Sequence, residues 1–175
     1  MRKGLTSQLS TLLLISLFLG VSVPLQAVES NTLDSAESAN YLAELKALYL
    51  TSNERKALLT HSNALLGTHA LKAAFQVGQP NPQDMNYRLS VGAPGELRIR
   101  EERRDASGNI AVRNRSFSVF GMDPYLQYQC PPQGIVCEIA SPAGGDPWLT
   151  ILRDPKGAEE LAKALSFLIR NLQKG

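Results

Sequence analysis

The chain holds only two cysteines and two histidines in 175 residues, and that scarcity excludes several chemistries. A structural metal site draws about four ligands, mostly Cys and His. Here Cys130 and Cys137 flank the loop "CPPQGIVC", while His61 and His69 lie far away in the chain. No metal is expected. The cysteine spacing is not C-x-x-C, so the dithiol redox motif is missing too. The sequence also lacks a Gly-x-Ser-x-Gly elbow, an HExxH helix and a phosphate-binding glycine loop. No catalytic residue and no cofactor can be assigned, and an enzyme is not expected.

One stretch alone is apolar over any length, from Leu12 to Val23. It is shorter than the roughly 20 residues a spanning helix needs. Arg2 and Lys3 precede it and Pro24-Leu25-Gln26-Ala27 follows it, the order of a secretory signal peptide over residues 1–27. Cleavage near Ala27 would release a periplasmic or secreted protein with no stable transmembrane anchor. No cysteine stands at that point to carry a lipid. Losing Arg2 and Lys3 leaves basic residues balanced by the 16 acidic ones. A global attraction to nucleic acid therefore has no basis. In an oxidising compartment the two cysteines are expected to pair as a structural disulfide. Closing so small a loop contributes roughly 2.5 kcal/mol.

The rest reads as a flexible mature N-terminus over residues 28–39 and a single domain over residues 40–175. From Asn40 the leucines Leu42, Leu45 and Leu48 repeat at helical spacing. Thr51 to Glu54 has the form of a capping box opening a second helix, and Gly67 stands where a left-handed cap would close it. An N-terminal helical hairpin is expected. Alternation then takes over: Leu71, Ala73, Phe75 and Val77 suit a first strand, and Met85, Tyr87, Leu89 and Val91 a second. Leu97 and Ile99 continue the buried face. Between Ile110 and Val119 the apolar parity shifts, which predicts a bulge near Asn114 to Ser116. Segments "YLQYQC", "IVCEIAS" and "WLTIL" complete an antiparallel meander sheet of six or seven strands. Asp154-Pro155 opens a C-terminal helix whose stripe of Ala158, Leu161, Leu165, Leu168 and Leu172 packs on the sheet. The fold class is α+β.

Two surfaces could bind something. Arg88, Arg98 and Arg100 fall opposite the apolar face of the meander, and Arg113 and Arg115 join them if Ile110 and Val112 point inward. Guanidiniums so placed can hold phosphates or carboxylates bidentately. An apolar cavity lined by Tyr87, Leu89, Leu97, Leu165 and Leu168 would suit a carrier. The histidines read as structural, since neither has a carboxylate or nucleophile at local spacing. Glu101, Glu102 and Asp105 read as a solvated hairpin tip among arginines.

The fragments "AAFQV", "GELRI" and "DPYLQ", within residues 65–130, resemble periplasmic lipoprotein carriers of the LolA type. The resemblance implies a half-barrel with an apolar cavity closed by helices; the Cys130–Cys137 loop lies outside that pattern. The function expected from the residues is an exported, periplasmic, non-enzymatic binding or interaction protein. Its partner would be a protein or an envelope ligand. A periplasmic carrier of an apolar, lipid-like ligand is the alternative, and a small hydrolase without a recognisable motif the third reading.

Overall fold

In the computed structural model, residues 35–142 and 144–175 are described. The signal segment 1–27 and residues 28–34 of the expected flexible N-terminus lie outside them. Helix α1 spans Ser35–Leu48 and α2 spans Glu54–Thr68. The first helix thus begins five residues before Asn40. Tyr41 and Leu45 are its buried side chains, one turn apart; of the expected leucine stripe only Leu45 is buried, and Leu48 is exposed. The cap of α2 is Asn53, whose side chain accepts the Lys56 N–H at 2.9 Å. Thr51 does not cap the helix; its Oγ1 accepts from the Asn53 N–H at 3.2 Å and shapes the approach. Gly67 does not close it either. The helix runs on to Thr68, and the His69 N–H bonds to the Leu65 carbonyl at 2.9 Å.

The strands make two sheets. The first has the order β1–β2–β3, from Asp84–Val91, Glu96–Arg104 and Ile110–Ser118. The second has the order β4–β5–β6, from Tyr128–Gln129, Val136–Ile139 and Leu149–Leu152. All pairings are antiparallel, so the α+β class and the antiparallel strands stand. A meander of six or seven strands does not, and the half-barrel implied by the carrier resemblance is replaced by two small sheets. The break falls between Ser118 and Tyr128. There Val119 and Leu126 are drawn into the core, and Gly121 turns the chain with φ of 79°. The C-terminal helix α3, Pro155–Gln173, holds this crossing in place. Gln173 Nε2 donates to the Val119 and Met122 carbonyls, and Ser166 Oγ accepts the Leu126 N–H.

The segment expected as a first strand supplies one bridge, Leu71 to Met85, and then coils into a 3₁₀ turn at Ala73–Phe75. Phe75 and Val77 are exposed. Strand β3 pairs with β2 without a bulge from Ile110 to Ser118. Its parity follows Phe117 and Val119, which reach the core, and leaves Ile110 and Val112 outside.

Helix α3 begins as its sequence indicates. Asp154 Oδ1 accepts the Gly157 N–H at 3.1 Å, and Pro155 occupies the first turn. The five residues of its apolar stripe are all fully buried. Phe167, Ile169 and Ala164 are buried as well, because α2 packs on one side of α3 and β4 and β5 on the other. Burying each such leucine contributes about 2 kcal/mol.

Candidate functional site

The β1–β2–β3 register sets the outer face of the first sheet. Arg88 lies opposite Arg100, which lies opposite Asn114; Ser90 lies opposite Arg98, which lies opposite Ser116. Three guanidiniums therefore rise from two adjacent strands, beside small polar residues on the third. Between them lies a depression of about 400 Å³, whose lining includes Arg88, Ser90, Glu96, Arg98, Arg100 and Asn114.

Two of the arginines have partners along their own strand. Arg98 meets Glu96 at 2.8 Å, and Arg100 meets Glu102 at 3.2 Å. Glu96 also accepts from Ser116 Oγ and from the Ala93 N–H. Hydrogen bonds from Arg98 first, then from Ser116 and the Ala93 N–H, hold the Glu96 carboxyl down at about 2. Arg88 is exposed, and among the described residues no hydrogen bond or ion pair engages its guanidinium. It faces the like charge of Arg100 directly, an arrangement that destabilises a bare sheet.

Arg113 and Arg115 do not join this array. The parity of β3 puts them on the other face, opposite Glu101 and Ile99. Arg115 reaches the Trp148 carbonyl and stands 3.5 Å from Glu101. Glu101 is not a solvated tip residue. It is buried on the inner face with Arg103 at 2.5 Å, so its charge is matched from two sides. Across from it, burial foremost, then the Glu101 charge, pushes the Tyr87 hydroxyl up.

The residues expected to line an apolar cavity fill the core. Leu89, Leu97, Leu165 and Leu168 belong to the buried cluster, and Tyr87 packs against it. They line neither the outer depression nor the smaller one of about 100 Å³ beside α1 and α3.

Both histidines do have carboxylates, supplied by α3 from the far end of the chain. His61 Nε2 stands 3.0 Å from Glu160 and its Nδ1 stands 3.1 Å from the Tyr49 hydroxyl. Tyr41 donates to the same Glu160 oxygen at 2.7 Å. Burial alone would raise the Glu160 pKa, but bonds from His61 and Tyr41 and attraction to His61 and Lys163 carry it below the usual carboxylate value. His69 lies 3.4 Å from Asp154, and its ring covers Gly157, where any Cβ would collide with it. With both nitrogens of His61 engaged inside the protein, the cluster ties α1, α2 and α3 together. Only the antiparallel packing of α2 on α3 makes these pairs, so no local spacing could reveal them.

Cys130 and Cys137 are bonded to each other between β4 and β5. Among the described residues no cluster of ligands suits a metal ion, and no helix is long and apolar enough to cross a membrane. No protein-family model, curated protein or solved structure matches this chain.

Proposed function

We propose that this chain is an exported, non-enzymatic binding protein that holds an anionic ligand on the outer face of β1–β3. One observation carries the reading: Arg88 and Arg100 oppose each other beside Arg98 around an open depression, and the Arg88 guanidinium has no partner among the described residues. A sheet gains nothing from like charges placed this way. A phosphate or carboxylate between them would turn the repulsion into paired charge-assisted hydrogen bonds. The Cys130–Cys137 disulfide accords with an oxidising, extracytoplasmic setting. The carrier reading has less support, because its lining residues are packed solid.

Titration of the protein with phosphate and citrate, by calorimetry at low and at physiological salt, tests the proposal. The double variant Arg98→Gln/Arg100→Gln is expected to bind citrate about tenfold more weakly and with a flatter salt dependence. Its folding stability is expected to change by less than about 1 kcal/mol, since both pairs are exposed. Unaltered binding together with a large loss of stability would make these arginines structural.

A further inference from the structure

The two edges of the β1–β2–β3 sheet are treated differently. The β1 edge is covered at Met85 and Leu89, and Gln76 holds the chain just before it. The Met85 N–H bonds to the Leu71 carbonyl at 2.8 Å, and the Asn63 side-chain amide takes both backbone groups of Leu89, at 2.7 and 3.0 Å. Gln76 Oε1 accepts the Gln83 N–H at 3.3 Å. In effect, Asn63 stands in for one residue of a neighbouring strand.

The β3 edge is open. The Val119 N–H bonds to the Gly95 carbonyl and the Asp105 N–H to the Asn109 carbonyl, so odd-numbered residues of this strand face β2. The N–H and C=O groups of Ile110, Val112, Asn114 and Ser116 therefore point away from the sheet. Among the described residues, no hydrogen bond from elsewhere in the protein reaches them. Ile110 through Asn114 are exposed without interruption, apolar Ile110 and Val112 included. Such an edge is normally shortened, bulged, covered or interrupted by proline. This one has nine residues and none of those devices; its one guard is charge, from Arg113 and Arg115 on the inner face.

We propose that the β3 edge accepts an extended, acidic segment of a partner protein as a fourth strand. A second copy of the chain fits poorly. Two β3 strands overlapped antiparallel about Asn114 would set Arg113 against Arg115 on both sides of the central pair. An acidic strand has the opposite balance. The three strands carry seven arginines against four acidic residues, whereas the other described residues carry nine basic and ten acidic side chains. On the outer face, the added side chains would lie beside Asn114 and Ser116. Both are short enough for glutamates to reach over them to Arg98 and Arg100 of β2. Nearer the hairpin tip they would lie beside Ile110 and Val112, where β-branched residues pack best. Main-chain bonds would supply affinity and the alternating side chains specificity. The acidic preference rests on the arginine-face reading; the open edge does not.

The test uses the intact, oxidised protein and a nine-residue peptide alternating glutamate with valine and threonine. A counterpart with lysine for glutamate is the control. Residue-resolved amide exchange is expected to slow by about tenfold or more at Val112, Asn114 and Ser116 with the glutamate peptide alone. The variant Val112→Pro removes one outward N–H without breaking the β2–β3 ladder. It is expected to keep its circular dichroism and lose at least about tenfold in peptide affinity. Binding without protection of those amides would overturn strand addition. So would protection that grows with protein concentration in the absence of peptide, which would make the edge a self-association site. Equal protection by both peptides would overturn the acidic preference while the edge role stands, and the arginine face is then judged by citrate binding alone. Failure of the glutamate peptide while citrate still binds through Arg98 and Arg100 would overturn strand addition alone.

Discussion

Leu50 is the one non-glycine residue with positive φ among those described, at 47°, and its side chain is 94% exposed. It closes α1. The Thr51 N–H reaches back to the Lys46 carbonyl at 3.0 Å and the Leu50 N–H to the Ala47 carbonyl at 3.2 Å. That pattern places Leu50 at the left-handed position where helices usually carry glycine. A side chain with a Cβ is strained there by roughly 1 kcal/mol. Because the leucine touches so little, its removal loses almost no packing. Leu50→Gly is therefore expected to raise stability by about 0.5–1 kcal/mol, read as a higher urea midpoint at unchanged slope. The missing glycine is also why the end of α1 is hard to place from sequence. The cap of α2 illustrates the same scale: Thr51 and Asn53 are both capping residue types, and only the geometry of the turn chooses Asn53.

Elements with local signals are legible in the sequence, and elements decided by distant partners are not. Helix α3 is announced by Asp154-Pro155 and by its own stripe, and it forms where those residues stand. Strands β1 and β2 follow their alternation. In β3 two parities compete, Ile110 and Val112 against Phe117 and Val119, and packing decides between them: Phe117 stacks on Trp148 with ring centres 4.8 Å apart. That decision carried Arg113 and Arg115 off the outer face, so three of the five arginines foreseen for it remain together. The α2–α3 pairing is equally invisible locally, yet it has a measurable consequence. Glu160 is held ionised below the usual carboxylate value, so its favourable interactions are fully present above that value and are lost as pH falls through the lower one. Replacing it with Gln should remove this dependence. The stability gap between the protein and Glu160→Gln is expected to be widest above the ordinary carboxylate range and to narrow steadily as pH falls below it. Urea unfolding at a series of pH values measures it; a gap that stays constant across the range would mean Glu160 acts only through packing.

At the scale of the whole molecule, the candidate site and the disulfide belong to different sheets. The arginines and the open edge lie on β1–β3, while Cys130 and Cys137 join β4 to β5, with Cys137 buried in the core. Strand pairing from sequence alone favours one continuous sheet, because each strand is close to the next. What divides the sheets is the burial of Val119 and Leu126 against α3, a contact made with residues some forty or more positions away. The division allows the two parts to be perturbed separately. Breaking the disulfide removes a constraint on a short loop in the unfolded chain, worth on the order of 2 kcal/mol. For a domain of this size that is a fall in Tm of roughly 4–8 °C. Replacing both cysteines with alanine avoids placing a hydroxyl in the core at Cys137, although it leaves a small loss of packing there. The variant is expected to melt earlier by about that amount, while citrate affinity at a temperature well below the melt remains that of the parent protein. Loss of citrate binding in a variant that still folds would tie the loop to the binding face and count against a site confined to the first sheet.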